Sequence, residues 1–286
     1  MYPGQWTSIL FEYQPVEAIR KIAEVGWPGI ELSTEHINMI ADASDPLAAA
    51  DEVRETVEAV GIRMPQVHLT ISLNIADLDA SACEAALQVA ERDVELCARM
   101  GIENGVIHPG GAQPGTLAAF AEEKRVRVDS FKRLAEYAAE RHFNIAIENM
   151  ADAARATTGA LGQRRYGAVI PELLELIEDI GAPNVGICLD TSHANMQGIP
   201  MAEAVRQCGD KLIATHISDN DGSGDQHRTP GYGNIDWESG IKAMREIGYE
   251  GIFNLENPGE RGLPPEQMVH RIRYALEITN WLLGTT

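Results

Sequence analysis

Short apolar runs rich in β-branched residues alternate along the chain with longer segments in which apolar residues recur at helical spacing. Short apolar runs are typical of buried strands, and a period near 3.6 residues is typical of amphipathic helices. The pattern predicts eight strands: Thr7–Phe11, Gly29–Leu32, Met64–Leu69, Gly105–His108, Asn144–Glu148, Val185–Asp190, Ile213–Ile217 and Gly251–Glu256. It also predicts eight helices: Val16–Val25, Pro46–Val60, Ala80–Met100, Thr116–Arg141, Pro171–Ile180, Met201–Cys208, Trp237–Ile247 and Pro265–Leu283.

Strict alternation of strands and helices indicates a parallel sheet, and eight units indicate that the sheet closes on itself. We therefore predict an α/β protein with a single (β/α)₈ TIM-barrel domain over residues 1–286. A doubly wound open sheet is the alternative, but no glycine-rich phosphate turn follows the first predicted strand. Several predicted helices end at a glycine, the residue favoured just after a helix: Gly26, Gly61, Gly101, Gly181 and Gly248.

The one long irregular stretch is Ala151–Ala168, which contains Arg155, Arg164 and Arg165. A further loop, Ser33–Asp45, is predicted after the second strand. Long irregular segments in a compact domain usually serve as lids or binding loops, or are disordered.

Composition restricts the class of partner. The chain has 43 acidic residues against 23 Lys and Arg, for a formal net charge of −20. Because nucleic-acid binding depends on basic groups, this charge disfavours DNA and RNA partners. The four cysteines form no C-x-x-C pair and are expected to be reduced thiols. With neither a signal-peptide pattern nor a long apolar run, we expect a soluble, cytoplasmic protein without a membrane partner.

Side chains of metal-ligand type stand at or just after the ends of the predicted strands. In a TIM barrel these ends converge on one face, where active sites are found. Taken singly, each has a plainer explanation, such as a hydrogen-bonded core histidine or a turn-capping aspartate. Taken together, several buried carboxylates around one point are costly unless a cation neutralises them. The residues are Glu31, His68, His108, Glu148, Asp190, His193, His216 and Glu256.

Four of these residues follow consecutive strands, the fifth to the eighth: Glu148, Asp190, His216 and Glu256. Carboxylate oxygens with an imidazole nitrogen suit Mn²⁺, Co²⁺ or Mg²⁺, with Zn²⁺ as an alternative. We therefore predict one divalent ion with coordination positions left for two substrate oxygens. Such an ion would polarise a carbonyl and stabilise an enediolate, while a nearby base takes the proton.

The same positions carry a resemblance to a known superfamily. The chain resembles the xylose isomerase-like TIM barrels, which include ketose 3-epimerases, inosose and dehydroshikimate dehydratases, and AP endonuclease IV. The motifs that carry the resemblance are IAIENM (Ile145–Met150), CLDTSHAN (Cys188–Asn195), THISDNDG (Thr215–Gly222), DQHRTPGYGNIDW (Asp225–Trp237) and FNLENP (Phe253–Pro258).

The resemblance to ketose epimerases implies that Glu148, Asp190, His216 and Glu256 bind the metal, and that Glu148 and Glu256 are the acid/base pair. It also implies that His193 contacts a substrate oxygen. The chain departs from the epimerase pattern at two places. Gly222 stands where those enzymes have a substrate-contacting arginine, and Ala154 stands where they have a glutamate.

The resemblance to AP endonuclease IV implies a different ligand set, in which nine residues hold three zinc ions. A site with two or three metals suits phosphodiester hydrolysis, but the net charge of −20 opposes binding to DNA. The matching residues are His68, His108, Glu148, Asp190, His193, His216, Asp225, His227 and Glu256.

We therefore predict a sugar isomerase or epimerase, with a dehydratase or other lyase as the alternative and a non-catalytic sugar-binding barrel as a third class. The substrate is expected to be carbohydrate-like, and the resemblance implies a homodimer or homotetramer. Trp6, Trp27 and Tyr232 could pack on a sugar face or simply in the core. The predicted substrate-binding residues are His193, His68, His108, Asp225, His227 and Arg228, supported by Glu31, Asn149 and Asn257.

Overall fold

The protein is described by a computed structural model over residues 1–111, 117–152, 165–259 and 263–285, without the side chains of residues 117–120 and 265. Within these ranges, eight parallel strands form one sheet. The strands are β1 (Tyr2–Trp6), β2 (Gly29–Leu32), β3 (Arg63–His68), β4 (Asn104–Ile107), β5 (Asn144–Glu148), β6 (Val185–Asp190), β7 (Leu212–His216) and β8 (Ile252–Leu255).

The sheet closes into a barrel between its first and last members. The strands run in the order β7-β6-β5-β4-β3-β2-β1-β8, and a parallel bridge joins Ile217 to Leu255 across the remaining gap. There the amide of Ile217 donates to the carbonyl of Asn254 at 2.7 Å, and the amide of Glu256 donates to the carbonyl of Ile217 at 3.0 Å. The predicted TIM barrel is therefore confirmed.

Helices surround the barrel and cover its outer face. Apolar residues that alternate outward along the strands, such as Ile30 and Leu32, belong to the large core cluster that these helices complete. The helices are α1 (Pro15–Val25), α2 (Thr34–Ala41), α3 (Pro46–Val60), α4 (Ala80–Arg99), α5 (Leu117–Ala139), α6 (Ile170–Ile180), α7 (Thr191–Met196), α8 (Met201–Cys208), α9 (Trp237–Glu246) and α10 (Pro265–Leu283). The glycines predicted to end helices all have positive φ angles: Gly26, Gly61, Gly101, Gly181 and Gly248.

The prediction of a first strand at Thr7–Phe11 was wrong. The observed strand begins five residues earlier in the chain. Thr7–Leu10 forms a buried 3₁₀ turn, and β1 occupies Tyr2–Trp6. The true strand contains Pro3 and Gly4, which both count against a strand in a sequence pattern. Glycine is required at this position because a Cβ on Gly4 would collide with the side chain of Ile252 on β8.

Strict alternation of strand and helix was also wrong, because two further helices follow strands directly. Ser33–Asp45, predicted as a loop, contains α2, and Asp190 is followed at once by α7. Each helix is capped by the side chain of the residue just before its first residue. The Ser33 hydroxyl accepts from the amide of His36, and the Asp190 carboxylate accepts from the amide of His193.

Three further sequence predictions concern the cysteines, the long loop and membrane-spanning segments. All four cysteines are buried and unpaired, as predicted. Most of the predicted Ala151–Ala168 loop lies outside the described residues, and so do Ala154, Arg155 and Arg164. Across the described ranges, no helix has both the length and the apolar character needed to cross a membrane.

Candidate metal centre

The interior of the barrel changes from apolar to ionisable at the carboxyl ends of the strands. Val106, Ala146, Cys188 and Ala214 pack together as a small apolar layer contributed by β4 to β7. Side chains of a strand alternate between its two faces, so the residue two positions further along each of these strands faces the same lumen. Those residues are His108, Glu148, Asp190 and His216.

Four side chains meet at this level from β5, β6, β7 and the residue after β8. One ligand-type atom from each of Glu148, Asp190, His216 and Glu256 lies within 4.8 Å of the others. Nδ1 of His216 is 3.3 Å from Oε1 of Glu148 and 3.5 Å from Oε2 of Glu256. All four residues are buried. The structure therefore brings together the four residues predicted to hold a metal.

The same four residues each carry a buried polar atom with no hydrogen-bond partner: Oε2 of Glu148, Oδ2 of Asp190, Nδ1 of His216 and Oε2 of Glu256. Buried polar atoms are normally paired, because an unpaired one keeps its full desolvation cost. Three carboxylates and one imidazole nitrogen form a donor set that suits a divalent cation. The residues therefore fit such an ion.

Glu31 and Asn254 hold the imidazole of His216. Oε1 of Glu31 lies 2.9 Å from Nε2 of His216, and the amide of Asn254 donates to the other carboxylate oxygen. An imidazole whose Nε2 is bonded to a carboxylate presents its Nδ1 to the cluster, and such carboxylate–histidine pairs orient metal ligands. Glu31, predicted as a supporting residue, is thus in contact with a candidate ligand.

Two more histidines approach the far side of the Glu148 carboxylate. Nε2 of His68 and Nε2 of His108 each lie 3.4 Å from Oε2 of Glu148. The Nδ1 of His68 donates to the carbonyl of Leu69 at 2.8 Å, which leaves its Nε2 to face the carboxylate. His68, Glu148 and His216 also form a group whose geometry could hold a cation.

A third group lies beside the first and consists of His193, Asp225 and His227. Oδ2 of Asp225 is 3.2 Å from Nε2 of His193 and 3.0 Å from Nε2 of His227. The Nδ1 atoms of these histidines bond to backbone carbonyls, of Asn149 at 2.7 Å and of Glu256 at 3.0 Å. Both Nε2 atoms therefore point at one carboxylate, an arrangement that requires protons or a cation between them.

The pKa values in this third group reflect that requirement. Burial opposes the charged form of His193, but Asp190 and Asp225 outweigh it and raise the pKa to about 10. Burial is likewise outweighed at His227, where Glu256 and Asp225 raise the pKa to about 11. Two imidazoles are thus held in their protonated form, and a bound cation would replace those protons.

The two central glutamates have pKa values displaced in opposite directions. Burial alone would raise the pKa of Glu148, but the nearby imidazoles of His216, His108 and His68 lower it well below the usual range. Burial raises the pKa of Glu256 well above its usual range, against the opposing effect of His216 and His227. The surroundings of the two carboxyl groups therefore differ: Glu148 faces mainly imidazoles, whereas Glu256 also faces the carboxylates of Asp190 and Glu148.

Asn149 and Asn257, predicted as supporting residues, hydrogen-bond to backbone groups around the cluster. The side chain of Asn149 bonds to both the amide and the carbonyl of Asp190, at 2.7 and 2.9 Å. The side-chain amide of Asn257 donates to the carbonyl of His227 at 2.7 Å.

Three of the four other side chains considered as substrate contacts make their own contacts away from the cluster. The guanidinium of Arg228 bonds to the carbonyl of Tyr232 at 3.0 Å and to Asp221 at 3.3 Å. The ring of Tyr232 is 60% exposed and borders a surface groove between α9 and α10. Trp27 is buried, and its indole N–H donates to the carbonyl of Ile272 at 3.1 Å. Trp27 therefore packs in the core, whereas Trp6 lies at the barrel mouth.

Asp219 is a residue that the sequence interpretation missed. Its buried carboxylate accepts from the amide of Gly231 at 2.8 Å and from the indole of Trp237 at 3.1 Å. A Cβ on Gly233 would collide with Asp219 and with the backbone of Asn220, so glycine is required there. Asp219 thus organises the GYGNIDW segment around the cluster. The sequence feature that could have drawn attention to Asp219 is its place in the polar tripeptide SDN, shortly after the seventh strand.

The fold and the cluster together define a TIM barrel with a candidate metal site at its carboxyl face. The chain belongs to the family described as xylose isomerase-like TIM barrel, whose profile matches residues 19–278.

Three similar sequences illustrate the range of this family. An L-ribulose 3-epimerase of Methylomonas sp. is 29% identical over 227 residues, covering 78% of this chain and 66% of the relative. A D-psicose 3-epimerase of Agrobacterium fabrum is 26% identical over 245 residues, covering 83% and 77%. A probable endonuclease 4 of Nitratidesulfovibrio vulgaris is 27% identical over 195 residues, covering 67% and 64%.

Solved structures show the same fold. A D-psicose 3-epimerase with D-tagatose from Clostridium cellulolyticum matches with a TM-score of 0.80 at 16% identity, covering 99% of both chains. A 3-keto-D-glucoside 4-epimerase of E. coli matches with a TM-score of 0.76 at 20% identity, covering 99% of this chain and 98% of that one.

Proposed function

We propose that the protein is a divalent-metal-dependent sugar epimerase or isomerase that moves a proton at a carbon next to a carbonyl. The observation that carries the proposal is the convergence of four unpaired buried atoms, from Glu148, Asp190, His216 and Glu256. The epimerase names of several relatives support a sugar as substrate.

A cation held by these four residues would act as a Lewis acid, drawing electron density from a carbonyl and making the adjacent C–H more acidic. The carboxylates of Glu148 and Glu256 come from strands on two sides of β6 and β7, so a substrate between them has an oxygen base near each face. One carboxylate takes the proton from carbon, and the other returns a proton to the opposite face. Epimerisation needs this two-sided arrangement.

Neighbouring groups restrict how these carboxylates move. His216 contacts both glutamates and is itself held by Glu31, so the relative position of Glu148 and Glu256 is fixed by packed side chains. His68 and His108 provide imidazole nitrogens that could bond to substrate hydroxyls beside Glu148. Rigid placement of reacting groups contributes strongly to rate.

The proposal names no particular ketose. Gly222 stands where the epimerase pattern has a substrate-contacting arginine, and its amide bonds to the side chain of Asn220 at 3.1 Å. A substrate that depends on that arginine therefore lacks its partner here. Other sugar ketones remain compatible with the cluster.

A screen for epimerised product tests the proposed function. Protein stripped with a chelator and reloaded with Mn²⁺, Co²⁺ or Mg²⁺ is incubated with a panel of ketoses, and products are separated by chromatography. The proposal expects a new epimer or isomer with reloaded protein only. Failure of every metal and every ketose in the panel, with the protein folded and metal-loaded, would contradict it.

A phosphodiesterase like AP endonuclease IV is the second candidate, and one observation favours it. Eight of the nine residues of that ligand pattern belong to three groups with suitable geometry, and the ninth, His108, lies 3.4 Å from Glu148. The net charge of −20 opposes DNA binding. Elemental analysis separates the two readings: about one ion per chain supports the epimerase, whereas two or three zinc ions with incision of abasic-site DNA would support the endonuclease.

A further inference from the structure

Arg127 on α5 carries a positive charge and is nonetheless fully buried. Its Nη1 has no hydrogen-bond partner, and the carboxylate of Glu123, one turn earlier on the helix, lies 3.8 Å from its Nη2. Burial lowers the pKa of Arg127, against the opposing effects of Tyr166 and Glu123. A buried charge without a closely bonded carboxylate is a weak source of stability. The groups that its hydrogen bonds hold in place are therefore of interest.

The hydrogen bonds of Arg127 go to the segment that follows His108. Its Nε donates to the carbonyl of Pro109 at 2.8 Å, and its Nη2 donates to the carbonyl of Gly110 at 3.1 Å. Because β4 ends at Ile107, His108 lies just beyond the paired part of the strand. The position of the His108 backbone therefore depends on the residues after it, and Arg127 holds two of them.

The same segment leaves space for the guanidinium at Gly111. This glycine has a φ angle of 86°, and a Cβ there would collide with Nη2 of Arg127. The amide of Gly111 donates to the side chain of Asn74 at 2.6 Å. The turn after His108 is thus fixed from two sides, by Asn74 and by Arg127.

The guanidinium of Arg127 also contacts the segment beyond β5. It lies over the ring of Tyr166, with its central carbon 3.9 Å from the ring centroid. The carbonyl of the next residue, Gly167, accepts from the amide of Met150 at 2.9 Å. Met150 stands two positions after Glu148. Arg127 therefore lies between the segment after β4 and a segment that is bonded to the end of β5.

We propose that Arg127 is a positioning residue, which holds His108 against Glu148 and so sets where a substrate hydroxyl bonds beside that carboxylate. Nε2 of His108 lies 3.4 Å from Oε2 of Glu148. The inference rests on the proposed function. Arg127 does not contact substrate in this account, because its Nε and Nη2 are used on backbone carbonyls and its effect passes through His108.

A double-mutant cycle tests this coupling. Values of kcat/KM are measured for the parent, Arg127→Met, His108→Gln and the double variant, with Mg²⁺ and D-fructose, D-psicose, D-tagatose and L-ribulose as probes. Arg127→Met is expected to lower kcat/KM about 10- to 100-fold, the cost of misplacing a reacting group by about 1 Å. Little further loss is expected once His108 is replaced, because coupled residues are not additive. A merely structural role would give the same factor in both backgrounds.

Two further variants complete the comparison. Arg133→Met is the matched control, since Arg133 lies on the same helix but is 42% exposed and bonds to Glu84 and Glu91, so kcat/KM should be unchanged. Arg127→Lys keeps the charge without the planar fork of donors, so it should recover part of the lost kcat/KM. Should Arg127→Met fail to fold, the lysine variant gives the coupling in the same cycle.

A spectroscopic measurement tests the contact without relying on turnover. In protein labelled with ¹³C at histidine, the His108 ring signal is the one that disappears in His108→Gln. Arg127→Met should shift it, whereas the signal of His36, which is bonded to Thr7 and Tyr13 on α2's side of the barrel, should stay in place.

The outcomes separate the inference from the function on which it rests. If a ketose is turned over while Arg127→Met keeps the parent kcat/KM, or loses the same factor with and without His108, the inference is wrong and the epimerase proposal stands. An unmoved His108 signal in Arg127→Met would overturn it as well. If the signal moves but no ketose reacts, the positioning contact is confirmed and the epimerase proposal fails.

Discussion

Oε1 of Glu31 lies 2.9 Å from Nε2 of His216, although 185 positions separate the two residues in the chain. The contact crosses the lumen between β2 and β7, which β8 and β1 separate around the barrel, and both side chains are fully buried. It determines which imidazole nitrogen faces Glu148 and Glu256. A carboxylate outside the four-residue cluster therefore sets the geometry inside it.

Glu31→Gln should weaken metal binding by about 10- to 100-fold, because the amide orients His216 less strongly and makes its Nδ1 less basic. Titration calorimetry with Mn²⁺ or Co²⁺ on chelator-stripped protein measures the effect. Glu35→Gln is the control, since the Glu35 carboxylate accepts from Ser8 rather than from a histidine of the cluster. Equal metal affinity in the parent and Glu31→Gln would contradict the orienting role.

Glu148→Gln and Glu256→Gln should each lower turnover by orders of magnitude, because an amide cannot accept or return the proton. Some metal binding should survive, since three of the four candidate ligands remain in each variant. Turnover of the ketose identified by the screen gives kcat, and elemental analysis gives metal per chain. Near-normal turnover in either variant, at full metal occupancy, would exclude that residue from proton transfer.

The barrel could be predicted from the sequence because its strands are buried on both faces. The strands Asn144–Glu148 and Val185–Asp190 match the predicted bounds, since continuous apolar runs leave little choice of element. The first strand was misplaced because the apolar run after it, Thr7–Leu10, resembles a strand more closely than Tyr2–Trp6 does. Tyr2–Trp6 forms the strand because it pairs with β2 and β8. This pairing is between distant parts of the chain, so the local pattern of residues does not reveal it.

Gly4→Ala tests the position of β1. The added Cβ would meet the Ile252 side chain inside the barrel, and overpacking of this kind is expected to lower the free energy of unfolding by about 1–3 kcal/mol. Gly224→Ala, whose Cβ would meet nothing within 4 Å, should have little effect. Urea denaturation of both variants measures the difference. Equal stability would contradict the placement of Gly4 within the sheet.

The candidate site was predicted more completely than its surroundings. Strand ends converge in any TIM barrel, so spacing alone brought Glu148, Asp190, His216 and Glu256 together. The direction of Trp6 could not be predicted, because a strand at Thr7–Phe11 places Trp6 at the opposite end of the barrel. Asp219 was missed for another reason: its partners lie 12 to 18 positions along the chain, in a segment without regular structure.

Acidification should destabilise the protein partly through His36. Burial lowers the pKa of this histidine to about 4, and its ring accepts from Thr7 and donates to the carbonyl of Tyr13. The unfolded chain binds this proton near pH 6.5, whereas the folded protein resists it until about pH 4, so stability is lost as the pH falls between these values.

His36→Gln should remove this component of the pH dependence. Between pH 7 and 5 the parent is expected to lose about 2 kcal/mol more than the variant in free energy of unfolding. Denaturant titrations of both proteins at the two pH values provide the comparison. The contributions of titratable groups that both proteins share cancel in the difference. A parent that loses no more stability than His36→Gln would show that His36 is protonated in the folded state.

Proton transfer at carbon is the central claim, and incorporation of deuterium into a ketose tests it most directly. Metal-reloaded protein is incubated with each ketose of the panel in D₂O, and the recovered sugars are analysed by NMR and mass spectrometry. We predict deuterium on a carbon next to the carbonyl of at least one sugar, lost after chelation and in Glu256→Gln. No deuterium in any sugar, from folded protein with about one metal ion per chain, would contradict the account.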